Sequence, residues 1–274
     1  MLELPESVSI ARELNRLLKG CCVENAIVAM VPHKFAFYEG DPAQYPELLQ
    51  GKVVSNIRAI GGYVEFQLGD YELILGEDLA LRYLTAGEKP PARHQLLLQF
   101  NDGNMLSATI KMYGAIYLIP AGKYSTPHHL AAVRKPSPLT PQFDDTYFSE
   151  LTHGLKTSAS VKAFLATEQR IPGLGNGVLQ DILYNAQINP KTKLKNLSDT
   201  QIIRLYDSIK NTLTVMADQN GRDTEKDVYG NPGNYVTILS AKTCQEPCPR
   251  CDGAISKQAY MGGTVYFCPV CQPV

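Results

Sequence analysis

The chain has 274 residues, of which 44% are apolar and 19% charged, so it is too hydrophobic for a disordered chain and long enough for about two domains at roughly 150 residues each. Lys and Arg number 26 against 27 Asp and Glu, a net charge of −1, and composition alone therefore announces no nucleic-acid partner. No apolar run approaches the ~18 residues of a membrane span, and the acidic, Pro-containing start is unlike an export signal, which leaves a cytoplasmic protein as the expectation.

In chain order, Val8, Ala11, Leu14 and Leu18 fall at helical spacing and Gly20 is a natural stop. Short strand-like runs follow at Lys52–Ile60, Tyr63–Leu68, Tyr71–Leu75, Gln95–Phe100, Met105–Ile110 and Ala115–Ile119, separated by turns such as Gly61-Gly62 and Asn101-Asp102-Gly103. The pattern predicts an antiparallel β-sandwich or barrel with one leading helix. Five prolines between Pro120 and Pro141 read as a linker, with His128 and His129 solvated. Beyond it, Phe143–Leu151, Ser160–Gln169, Asn176–Ala186 and Ser198–Asp218 carry helical periodicity, Ser198 being a good N-cap. The fold class is thus α+β, with expected boundaries at 1–122 (β-sandwich), 123–141 (linker), 142–240 (helical) and 241–274 (cysteine module).

Chemistry concentrates in three segments. Cys248-Pro-Arg-Cys251 and Cys268-Pro-Val-Cys271, sixteen residues apart, offer four thiolates at the spacing of a tetrahedral Zn²⁺ site. Four sulfur ligands leave no position for water, so one structural Zn²⁺ is expected, supplying folding energy to a segment too short for its own core. Cys244 is read as a bystander, and Cys21-Cys22 as small packed groups. The second segment, Arg170-Ile-Pro-Gly-Leu-Gly-Asn-Gly177, lies between two predicted helices. Its glycines allow a tight turn, and the helix starting near Asn176 exposes amides to an anion such as phosphate, with Lys156 and Lys162 upstream. An ordinary structural turn explains the same residues. The third is the opening Met-Leu-Glu-Leu-Pro-Glu, where Glu3 and Glu6 by themselves read as surface carboxylates.

Together, the ELPE opening, the PGLGN turn and the terminal GGTVYFCPVCQ resemble the formamidopyrimidine-DNA glycosylase/endonuclease VIII family over nearly the whole chain. That resemblance implies a monomer that clamps damaged double-stranded DNA between two domains, a helix–two-turn–helix unit and a zinc finger. It also implies an N-terminal amine that attacks the sugar C1′. The catalytic positions depart from the family pattern. Leu2 stands where active members expose a small residue, usually proline, so Met1 is expected to be retained, its amine at most ~3.8 Å beyond the nucleophile's place. Gly62 and Gly263 stand at the family's phosphate-holding lysine and arginine. Glu3 matches its acid/base carboxylate, and Asp181 and Val178 replace a glutamate and a tyrosine. The DNA-contacting positions fare better. Lys111 and Tyr113 correspond to a probing arginine and phenylalanine, Leu79 to an inserted methionine, and Asn176 and Lys156 to phosphate contacts; Arg134, Lys135 and Lys162 would add charge to the same cleft.

The expected function is a DNA-repair-type protein that binds lesion-containing or abasic duplex in the nucleoid with weak or no lyase activity. A working glycosylase/AP lyase using the Met1 amine, and a non-catalytic zinc-ribbon interaction factor, are the alternatives.

Overall fold

The computed structural model describes residues 1–123, 126–153 and 158–274. Helix α1 (Leu4–Leu18) buries Ile10, Ala11, Leu14 and Leu18 on one face and ends before Gly20, whose φ of +90° suits glycine. Strands β1 (Val23–Val28) and β2 (Ala36–Tyr38) and a short helix α2 (Tyr45–Leu49) follow. Then come β3 (Val54–Ile60), β4 (Tyr63–Leu68), β5 (Tyr71–Leu84), β6 (Leu96–Phe100) and β7 (Met105–Pro120).

All seven strands form one sheet in the order β1-β6-β7-β5-β4-β3, antiparallel throughout, with β2 added in parallel to β7. Two expected strands, Met105–Ile110 and Ala115–Ile119, are one sixteen-residue strand, and Tyr71–Leu75 continues to Leu84. Gly76 and Gly114 break the sequence alternation, but the register shift between Glu77 and Leu79 lets pairing resume beyond them. The expected sandwich is therefore a single sheet whose halves share β5 and β7. Leu73, Leu75 and Phe66 from one half and Leu81, Leu98 and Leu106 from the other enclose one core with α1.

The proline-punctuated stretch is not all linker. Helix α3 (Pro127–Arg134) starts with proline at its first position, where no N–H is needed, and the Thr126 hydroxyl accepts from the His129 N–H. His129, expected in solvent, is buried against the sheet with Nε2 3.3 Å from Glu65 and its ring edge-on to Tyr63.

A second core lies among α4 (Asp145–His153), α5 (Val161–Ala166), α6 (Val178–Ala186) and α7 (Asp199–Asp218). Ser198 and Gln201 form a reciprocal capping box at the start of α7. Leu4 belongs to this second core while Leu14 and Leu18 belong to the first, so α1 ties the two units together. The chain ends in a hairpin, β8 (Ser256–Tyr260) and β9 (Gly263–Phe267), turned by Met261 and Gly262 at positive φ.

Candidate active site and nucleic-acid interface

Backbone contacts fix the first four residues. The Leu2 N–H donates to the Glu77 carbonyl (2.8 Å) and the Leu4 N–H to the Gly173 carbonyl (2.8 Å), while the Leu2 side chain is buried in the first core. The Met1 amine lies 3.0 Å from Asp78 of β5 and 3.0 Å from Glu225, in the segment after α7. Lys111 adds a second cation, 3.7 Å from the same Glu225. Sequence reasoning did not single out Asp78 or Glu225, because only folding brings positions 1, 78, 111 and 225 together.

Glu3 and Glu6 are not surface carboxylates. Both are buried on either side of Arg222, which contacts Glu3 at 3.3 Å and Glu6 at 2.8 Å. Glu3 also accepts the Gly177 N–H (2.8 Å) and the Val178 N–H (2.7 Å), the first free donors of α6. The anion site expected at the glycine-rich turn is thus filled by a carboxylate of the chain itself. A Cβ at Gly175 would stand 2.5 Å from Glu3 Oε1, and one at Gly177 would overlap the Arg222 guanidinium, so both positions leave no room for a side chain. Burial pushes the Glu3 carboxyl above its ordinary range, against the pull of Arg222 and the two amides.

Gly62 is equally constrained, since a Cβ at this position would lie 2.8 Å from the Leu2 carbonyl oxygen. A lysine here would have to displace the N-terminal backbone, so the change at residue 62 and the course of residues 1–3 form one structural unit.

The remaining candidates divide by exposure. Lys111 is half exposed and Tyr113 partly buried, its hydroxyl 4.0 Å from the Met1 sulfur. Leu79 does not project as a wedge; it is 3% exposed, packed between β5 and β7. Nor does Lys162 line an open cleft, because its Nζ donates to the Tyr260 carbonyl (2.5 Å) and is buried under the terminal hairpin. Asn176 serves the same hairpin, its Nδ2 donating to the Thr264 carbonyl (3.0 Å), with Gln180 gripping Thr264 and Tyr266 beside it. A Cβ at Gly263 would fall 3.1 Å from Asn176 Oδ1, so an arginine there needs Asn176 to move. Lys135 donates to the Gln169 carbonyl (2.6 Å), Arg134 is exposed, and Lys156 lies outside the described residues.

The four cysteine sulfurs lie within 4.8 Å of one another, with Cys248–Cys271 at 3.8 Å and Cys251–Cys268 at 3.5 Å. These separations exceed the ~2.05 Å of a disulfide and match the ~3.8 Å edge of a tetrahedron with ~2.3 Å Zn–S bonds. The donor set fits one structural Zn²⁺, and with every ligand a thiolate it offers no catalytic position. Cys244 stands apart, its thiol turned to the Ala241 carbonyl.

Residues 135–226 match the formamidopyrimidine-DNA glycosylase H2TH domain. The whole chain is 30% identical to a formamidopyrimidine-DNA glycosylase of Symbiobacterium thermophilum, covering 90% of that protein, and 26% identical to its Bacillus subtilis namesake across 99% of both chains. Among solved structures it is similar to the Lactococcus lactis Fpg bound to DNA containing an abasic site, with 26% identity, 99% of this chain and 100% of that one covered and a TM-score of 0.84. A MutM complex with DNA carrying carbocyclic 8-oxo-G matches equally well, with a TM-score of 0.84.

Proposed function

Because the chain belongs to the formamidopyrimidine-DNA glycosylase family, we propose that it binds double-stranded DNA at lesions or abasic sites and has little or no strand-cutting activity. Its relatives' names and their complexes with abasic and 8-oxo-G DNA support the binding half of this reading. One observation carries the other half: the place next to Glu77 that a terminal amine would take is occupied by the Leu2 peptide N–H, donated to the Glu77 carbonyl. A peptide nitrogen is no nucleophile. The Met1 amine beyond it is bound by Asp78 and Glu225, and an amine whose N–H groups face two carboxylates is not poised toward a sugar carbon.

Glu3, the acid/base candidate, is committed to capping α6 and to Arg222. On the binding side, Lys111 and Tyr113 remain at the surface as a cation and an aromatic wedge, and the finger is anchored on α6 through Asn176 and Gln180. The functional units would run 1–122, 123–141, 142–240 and 241–274, acting as a monomer in the cytoplasm on nucleoid DNA; no helix among the described residues is long and apolar enough to cross a membrane.

Borohydride trapping on abasic duplex, alongside binding to a stable abasic analogue, tests the reading. Selective binding with trapping near background is expected. Efficient trapping with turnover would instead establish a lyase that uses the Met1 amine, and equal affinity for intact and abasic duplex would remove damage recognition.

A further inference from the structure

A groove of about 680 Å³ runs between α4 and the first half of α7. Phe148 of α4, 1% exposed, forms its floor, and the partly buried Ile202 and Tyr206 line the α7 side together with Ile203. These walls are fixed by their own packing. Tyr206 stacks on Phe143 with ring centroids 6.1 Å apart and donates its hydroxyl to the Phe143 carbonyl (3.2 Å), while Phe148 is held between Tyr206 and Phe164 at 5.6 and 5.9 Å. The groove is therefore preformed, and filling it costs little reorganisation.

Its margin combines apolar surface with one sign of charge. Leu205, Ile209 and Leu213 of α7 are buried as core packing requires, but Ile203 keeps 61% of its surface in water, among the exposed polar residues Thr200, Arg204 and Asp207. A single exposed isoleucine means little by itself; this one continues an aromatic-floored groove out to solvent. Asp145, Asp199 and Asp207 stand exposed around it, and among the described residues none of the three forms an ion pair. Asp145 and Asp199 also complement the first turns of their helices, but Asp207 lies in mid-helix, where the helix dipole gives no reason for an acid. Both cations of α7 are engaged: Arg204 donates to Gln187 (3.1 Å) and Lys210 to the Phe143 carbonyl (3.0 Å). Gln187 caps the C-terminal end of α6, nine residues and about 13 Å from the end that receives Glu3.

We propose that this groove docks a basic amphipathic helix of a partner protein, one bulky apolar side chain entering above Phe148 beside Ile203 and flanking lysines or arginines pairing with the three aspartates. The charge selects the class of partner. Three unpaired carboxylates repel the phosphates of a nucleic acid or an anionic lipid surface, whereas they steer and orient a cationic peptide. An apolar groove between two helices is a common seat for the apolar face of a third. The site goes beyond the DNA-binding reading and does not depend on it, so a partner and a duplex would be held at once.

The test uses the full-length protein and a fluorescent peptide of about four helical turns, with leucines on one face and lysines elsewhere. Two counterparts carry glutamate in place of every lysine, or alanine in place of every leucine. The leucine–lysine peptide is expected to bind about tenfold more tightly than either counterpart. Ile203→Ser and Asp207→Lys, both at exposed positions, are each expected to weaken it about tenfold, with urea midpoints near that of the wild type. Glu47→Lys, an exposed acid on α2, is expected to leave binding unchanged. Hydrogen exchange should show added protection in α4 and the first half of α7. No binding, equal binding of the three peptides, binding indifferent to Ile203→Ser and Asp207→Lys, or protection confined to other elements would overturn the proposal. So would a dimer in sedimentation that Ile203→Ser dissolves, which would give the groove to a second copy of this chain, or displacement of the peptide by undamaged duplex, which would give it to DNA.

Discussion

At the scale of single residues, buried carboxylates set the electrostatics. Asp181 on α6 accepts the Ile238 N–H (2.9 Å) and the Leu239 N–H (2.8 Å), and burial pushes its pKa up to about 6 from an ordinary 3.8. Between those values the native state holds a proton that the unfolded chain has released, so stability falls as pH rises through the interval, by about 3 kcal/mol if the full difference is realised. The urea midpoint of Asp181→Asn, followed from pH 4 to 7, is expected to lack that part of the decline. Arg222 presents the opposite case. Replacing it with leucine leaves Glu3 and Glu6 buried without their cation, and a loss of roughly 3–5 kcal/mol is expected in urea unfolding. Neither the burial of Glu3 and Glu6 nor their shared arginine was legible in the sequence, since 216 positions separate Glu6 from Arg222 and no local pattern links them.

At the scale of elements, periodicity worked where one face of an element is buried and the other wet. Helix α7 begins after Ser198 as its capping box dictates, and α1 ends where Gly20 permits. It failed at α3, where five prolines outweighed a short helix whose buried residues are only His129 and Ala132. It also missed β1 and β2, whose pairing to β6 and β7 is a long-range fact. The terminal hairpin depends on both kinds of information. Its metal ligands were plain from spacing, but its seat on α6, through Asn176, Gln180 and Lys162, was not. Removing zinc with a strong chelator under reducing conditions is expected to release β8 and β9 first. Hydrogen exchange should show their amides losing protection while β5 and β7 keep theirs, and binding to abasic duplex should fall in parallel.

At the scale of the whole molecule, the segment after α7 straps the helical unit to the sheet. Glu225 reaches Met1 and Lys111, the Val228 carbonyl accepts the Tyr83 N–H (2.9 Å), and the Tyr229 hydroxyl donates to Glu13 (2.6 Å). With net charge −1, DNA affinity must come from local groups such as Lys111, so its decline with added salt should be shallow, the slope being set by few neutralised phosphates. The strap and the glycines also explain why restoring one residue will not restore cutting. Leu2→Pro with Met1 removed is expected to give borohydride trapping below about a tenth of that of a relative with a native N-terminal proline, because Gly62 and Gly263 still supply no cation. Trapping at the relative's level would overturn this account.

The sequence by itself determined the elements whose causes are local: the helical faces, the capping box, the four-thiolate ligand set and the changed positions at Leu2, Gly62 and Gly263. Tertiary structure alone decided where the charges went. A carboxylate three residues from the start caps a helix that begins at Val178, and an amine at residue 1 meets acids at 78 and 225, because a buried charge must find its partner wherever the packed core brings one within reach.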